Sequence, residues 1–351
     1  MKAMYLYISI CTVIIGGILG GLYLQSPIAS YTLYRGGFQR TVLPASHVTL
    51  SAVLDLGLNS YYISGLTQDH IYISNYTAPA FLLSATLNLQ DTTHIVLQTD
   101  QLDQIKHPQH FKTIVTPPYF YMVNGAEPII LQGDTTQWKA TQKVGHLSYF
   151  SDLIPIDSGR FVLRYYSKRN ASFTLGLQTP SPPYFIAHPE LIEKQKEGFF
   201  SVDGMFHYSK ALQKLIYVYR YRNQFFSTDL HLQLQNRYHT LDTISWAKVT
   251  ASEIKSSNTF VLLSHPAVTQ KLNTVRDHFL YNISGVMSQN DNADKFKKED
   301  MVDVYDLTTG TYVKSFYLPR YHGNSVADFR VIEQHIFTIQ GSYLLCYNYT
   351  P

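Results

Sequence analysis

Histidine is the side chain best suited to chemistry near neutral pH, and the chain carries 14 of them. Five of these, His110, His146, His207, His265 and His322, fall near the first strand of successive sequence units. If such strands surround one axis, their imidazoles could converge there and hold a metal. No H-E-x-x-H, Cys-x-x-Cys or His-x-x-x-His with a carboxylate accompanies them. Histidines spread through turns are the plainer reading, and no metal is assigned. Asp152, Asp203 and Asp277 lie near three first strands, which falls short of a full acidic ring. The connection Arg320-Tyr321-His322-Gly323-Asn324-Ser325 gathers a cation, a phenol, an imidazole and an amide around a flexible glycine. Loops of this kind form binding faces. Arg320, Tyr321, His322 and Asn324, with His207 and His110, are therefore the candidate ligand contacts. His110 belongs to the loop His107-Pro108-Gln109-His110, where Pro108 biases His107 away from a helix. Nucleophilic catalysis has no support: there is no G-x-S-x-G elbow, P-loop or G-x-G-x-x-G. Cys346 lies in the apolar run Leu344-Leu345-Cys346-Tyr347, as a small buried hydrophobe would. No catalytic residue and no cofactor is assigned.

Composition narrows the function classes. Against 28 Lys plus Arg stand 25 Asp plus Glu, so no basic field awaits nucleic acid. Apolar residues make up 45% of the 351, enough for a sizeable core and too many for disorder. Two cysteines, Cys11 and Cys346, exclude a disulfide scaffold. The alternation in Tyr217 to Arg222 puts Tyr217, Tyr219 and Tyr221 on one strand face and Arg220 and Arg222 on the other. With near-neutral charge, packing of the tyrosine face is expected there rather than base stacking.

The N-terminus sets the compartment. Met4–Leu24 is nearly all apolar and would make a helix of about 31 Å, the thickness of a hydrocarbon core. A cleavable signal has a shorter apolar region and a small-x-small site, and the candidates around Pro27–Ser30 fit poorly. An uncleaved single-pass signal-anchor is expected, with the bulk of the chain on the extracytoplasmic side, periplasmic or extracellular. Gly16, Gly17, Gly20 and Gly21 form two overlapping G-x-x-x-G pairs through which two such helices could dimerise.

After Gln25 helical periodicity almost vanishes, and short β-branched and aromatic runs alternate with turn residues. One unit recurs six times: a short apolar strand, a polar turn and a more strongly apolar strand. Their second strands begin at His70, Tyr119, Arg160, Leu215, His278 and His335, 41 to 63 residues apart. That period, at four strands per unit, predicts propeller blades. The hairpin Val302-Asp303-Val304-Tyr305-Asp306-Leu307-Thr308-Thr309-Gly310-Thr311-Tyr312-Val313, together with the six units, resembles the six-bladed β-propellers of the TolB-like and NHL-like group. The resemblance covers roughly residues 45–351 and implies an architecture rather than an activity. The expected organisation is a tail over 1–3, a transmembrane helix over 4–24, a linker over 25–44 and an all-β, six-bladed propeller of four-stranded blades over 45–351. The last unit has one strand too few, and residues 47–56 are assigned to its outer edge, where they would close the ring. A linker helix is predicted over Pro189–Gly198 and a mobile polar loop over Gln289–Asp300. Functionally this reads as a membrane-anchored binding module for a protein, peptide or glycan. The competing reading is a propeller enzyme of lactonase or quinoprotein type, with a metal or cofactor in the channel.

Overall fold

The computed structural model describes residues 2–25, 34–100, 107, 110–254, 259–263 and 266–350. The chain divides into two units, residues 1–34 and 35–351. In the first, helix α1 (Lys2–Gln25) carries exposed apolar side chains such as Ile8, Ile14, Ile15, Leu19 and Leu22. Among the described residues no helix is long and apolar enough to cross a membrane.

The second unit is a six-bladed propeller. Blade one is β2 (Tyr61–Leu66), β3 (His70–Asn75), β4 (Phe81–Thr86) and β5 (Thr92–Val96). Blade two is β7 (Lys112–Thr116), β8 (Tyr119–Asn124), β9 (Ile129–Asp134) and β10 (Lys139–Lys143), with the short β6 (Gln98–Thr99) added parallel to β10. Blade three runs through β11 (Asp152–Pro155), β12 (Phe161–Ser167), β13 (Ser172–Gln178) and β14 (Phe185–His188). Blade four holds β15 (Gly204–Ser209), β16 (Lys214–Tyr219), β17 (Gln224–Thr228) and β18 (Leu234–His239). A separate hairpin, β19 (Ala251–Ile254) and β20 (Thr259–Leu262), interrupts the connection to blade five. That blade contains β21 (Gln270–Arg276), β22 (Phe279–Ser284), β23 (Glu299–Asp306) and β24 (Thr311–Pro319). Blade six is built from β25 (Val326–Ile332), β26 (His335–Gln340), β27 (Tyr343–Tyr349) and, on its outer edge, β1 (Val48–Asp55).

Strand β1 pairs antiparallel with β27, Val48 opposite Tyr349 and Asp55 opposite Tyr343, so the two ends of the propeller share one sheet. Ser51 sits where the register shifts, and its hydroxyl donates to the Cys346 carbonyl at 2.9 Å. Each blade turns one apolar face to each neighbour. Among the described residues, six apolar clusters fill the six blade interfaces. Ile71 and Ile73 of blade one meet Phe337, Leu344 and Cys346 of blade six, and Val162 and Leu177 of blade three meet Tyr217 and Tyr219 of blade four. A fully buried side chain of this size stabilises by about 1.5–3 kcal/mol, so packing between blades holds the ring. Burial also raises the pKa of the Cys346 thiol.

Two local expectations are corrected. Residues 189–198 form turns instead of a helix: Leu191 and Ile192 are drawn into the cluster between blades three and four, and the Tyr219 hydroxyl accepts from the Glu193 N–H at 2.9 Å. The Glu197 carboxylate takes the N–H groups of Phe199 and Phe200, at 2.7 and 3.0 Å, which turns the chain away. The polar segment 289–300 is not a mobile loop. It contains helix α2 (Ala293–Lys298), N-capped by Asn292, with Phe296 buried beneath it. Asp291 is buried as well, because it meets Arg40. Arg40 belongs to residues 35–44, which lie along blade five; the Leu43 N–H donates to the Ser315 carbonyl and the Ser315 N–H to the Thr41 carbonyl, both at 2.8 Å.

Candidate functional site at the mouth of the central channel

Antiparallel alternation places the starts of all inner strands at one end of the propeller, together with the turns between second and third strands. The register shows this in blade one, where Tyr61 lies opposite Asn75 and the Tyr76 N–H donates to the Ser60 carbonyl at 3.0 Å. Lys112 opens β7, Asp152 opens β11 and Asp203 immediately precedes β15, so all three reach this end.

Side chains from blades that are not neighbours sense one another here. Arg330 of blade six helps to depress the pKa of His207 in blade four, across blade five. Burial raises the Tyr76 phenol of blade one, and Asp328 of blade six and Asp152 of blade three push it further up. Blade six adjoins blade one, whereas blade five separates six from four and blade two separates one from three; these side chains stand on or beside first strands, which line the axis. Asp328 is fixed by Arg330 at 2.6 Å and by the Ile63 N–H at 2.9 Å. Burial raises the Asp152 carboxyl, while Lys112 and Arg164 oppose the shift. Tyr76 is 48% exposed, with its ring 4.5 Å from that of Tyr62 and the Lys112 ammonium 5.8 Å away. On the blade-four side, Asp203 is held between Arg164 at 3.1 Å and Arg220 at 2.9 Å. Tyr149, Trp246 and His322 are further exposed side chains on loops at this end.

The residues singled out from the sequence are distributed rather than assembled. Arg320 is gripped by both oxygens of Asp300 at 3.1 and 2.8 Å and donates to the Lys297 carbonyl at 2.8 Å. Tyr321 packs edge-on against Tyr343, with ring centres 5.0 Å apart, and Asn324 donates to the Tyr321 carbonyl at 3.3 Å. His322 stands exposed at the tip with left-handed backbone, φ 50°, followed by Gly323 at φ 77°. His110 is exposed and stacks on His107 with centroids 5.1 Å apart. His207 lies inside the ring, its Nε2 bonded to the Asn273 side chain of the next inner strand. His146 stacks on Tyr184 at 4.1 Å, and His265 lies outside the described residues. Among the described residues no three His, Cys, Asp or Glu side chains gather as a metal-ligating set. Of the three carboxylates noted from sequence, Asp152 and Asp203 reach the mouth, whereas Asp277 lies in the β21–β22 turn at the other end. Tyr76, Lys112 and Asp328 carried no signal in the sequence beyond their places beside strand ends.

His207 gives a prediction. Burial, with Arg330, pulls its pKa down to about 4 against the Asn273 hydrogen bond, so the folded protein holds it neutral. The unfolded chain binds a proton near pH 6.5, so stability is fully present above that value and is lost as pH falls toward 4. The loss reaches about 3 kcal/mol. Denaturant melts from pH 7 to 4 should show this slope in the parent and a flatter one in His207→Gln; equal slopes would discard the assignment.

No family model and no curated protein matches the chain. Solved structures do resemble it. A member of the DUF4221 family from Bacteroides vulgatus is 11% identical, with 88% of this chain and 99% of that chain covered and a TM-score of 0.57. A protein inferred to be exported, from Bacteroides fragilis, is 10% identical, with 91% and 99% covered and a TM-score of 0.50. At these identities the likeness is one of fold, and it agrees with the six-bladed ring.

Proposed function

We propose that this protein is a membrane-anchored recognition module whose propeller presents its channel mouth to a ligand outside the cytoplasm. The observation that carries the reading is the convergence of Tyr76, Lys112, Asp152, Asp328 and Arg330 on one water-accessible mouth, from the inner strands and turns of blades one, two, three and six. Exposed aromatic and charged side chains on loops held by a rigid ring are the usual equipment for binding. The anchor is α1, whose 24 residues would extend about 36 Å, with Gly16, Gly17, Gly20 and Gly21 as a close-approach face for a second copy. The description of the similar Bacteroides fragilis structure as that of a protein inferred to be exported is in keeping with the extracytoplasmic side. One observation favours the enzyme reading: a carboxyl shifted upward, such as Asp152, is what acid–base chemistry uses.

A photo-crosslinking residue placed at Tyr149 or Trp246 should form covalent adducts in living cells, and one at Leu234 on the outer strand of blade four should not. Equal labelling at all three positions, or none at the mouth, would remove the reading. The anchor is tested separately: the protein should stay in the membrane fraction through alkaline carbonate with its N-terminus intact. N-terminal sequencing that begins near residue 26 would contradict it.

A further inference from the structure

Charges at the mouth alternate in sign, and not all of them are neutralised by contact. Asp328 and Arg330 form a pair at 2.6 Å. Asp152 and Lys112 do not: among the described residues no ion pair joins them, although Lys112 is near enough to act on the Asp152 carboxyl. Asp152 accepts a single hydrogen bond, from the Leu153 N–H at 2.9 Å. One carboxylate and one ammonium are therefore held apart by separate blades at the axis, where protein surrounds them and water still reaches them. The Lys112 ammonium stands over the half-exposed Tyr76 ring, 5.8 Å from its centre, and Tyr62 braces that ring at 4.5 Å. A neutral site with separated poles gives a plain cation or a plain anion no net attraction, since each meets one favourable and one unfavourable pole. It complements a molecule that carries both charges.

We infer that the channel mouth binds a zwitterion, an amino acid or short peptide with free amino and carboxyl groups, placing the ammonium against Asp152 and the carboxylate against Lys112. The inference rests on the reading of this end as the binding face and names its ligand class. The Tyr76 ring steadies the Lys112 ammonium, and Asp152 gains a cation in direct contact in place of the more distant influence of Lys112 and Arg164.

The test uses the full chain in mild detergent and calorimetric titration with glycine, triglycine, N-acetyl-triglycine and triglycine amide. Glycine or triglycine should bind, whichever matches the spacing, and blocking either terminus of triglycine should weaken binding at least about tenfold. In Asp152→Asn the acetylated and free peptides should bind alike while amidation still matters. Lys112→Gln should show the reverse. Water reaches both side chains, so Lys112→Gln should melt with the parent, and Asp152→Asn, which removes a charge that its surroundings disfavour, should melt no lower. Blocked and free probes binding equally, absence of binding by both glycine and triglycine, or variants that weaken every probe alike would each overturn the inference. If crosslinks form at Tyr149 and Trp246 but the blocked probes bind like the free ones, the binding face stands and the zwitterion falls. If crosslinks are absent while terminus-dependent binding appears, the site stands and the recognition role falls.

Discussion

A chain beginning at Tyr34 should fold into a stable monomer, and one beginning at Ser60 should aggregate on expression. The difference lies in β1. Its removal strips the seven paired positions along β27, from Val48 opposite Tyr349 to Asp55 opposite Tyr343. It would uncover Leu344, Leu345 and Cys346, each at most 1% exposed in the closed ring. The free backbone edge of β27 would then become a template for pairing with another chain. Lost packing and pairing together approach the whole stability of an ordinary domain, about 5–15 kcal/mol, so partial unfolding is not the expected outcome. A third truncation, beginning at Ala45, keeps β1 and loses only residues 34–44; it should fold with reduced stability. Size-exclusion profiles and thermal melts of the three chains decide the matter. A soluble, cooperatively melting chain that begins at Ser60 would show that ring closure through β1 is dispensable.

Arg40→Met should cost about 3–5 kcal/mol, far more than its loss of buried area explains. Burial works against the Arg40 charge, yet Asp303 by charge and hydrogen bonding, and then Asp291, raise its pKa. Its Nε and Nη2 meet the two oxygens of Asp303 at 2.7 and 2.9 Å, Nη1 meets Asp291, and Nη2 also reaches the Ser284 hydroxyl at 2.9 Å and the Val286 carbonyl at 3.0 Å. All three charged groups are buried. Removing the guanidinium strands two carboxylates in the interior, and their desolvation is the cost. The triple variant Arg40→Met/Asp291→Asn/Asp303→Asn should therefore recover part of the loss, because no naked charge remains. Urea denaturation of the three proteins measures it. A single variant within 1 kcal/mol of the parent, on the order of an exposed pair, would show that the site is solvated and the pairing unimportant.

The six blades were legible because each is a local object. Period-2 alternation, a turn and a second strand lie within a few tens of residues, and the blade faces that must be buried are written as runs such as Ile216-Tyr217-Val218 and Leu280-Tyr281. The burial of Tyr217, Tyr219 and Cys346 followed from the same alternation. What misled was short-range grammar without its tertiary partner. Pro189 and Gly198 look like helix punctuation, but Leu191 and Ile192 gain more from the space between blades three and four than one helical turn would supply. Asn290 and Asp291 look solvated until Arg40, about 250 residues away in sequence, arrives beside them.

The repeating architecture, the apolar N-terminal helix and the lack of a familiar nucleophile motif all follow from composition and from neighbours along the chain. Which polar side chains share a space is a matter of how distant strands come together. Lys112, Asp152, Asp328 and Tyr76 come from four inner or second strands and their turns, and each is an ordinary residue at an ordinary strand end. Their meeting at the axis depends on six sheets closing into a ring. Closure is set by the sum of six apolar interfaces and the β1–β27 ladder, and no single stretch of sequence contains it.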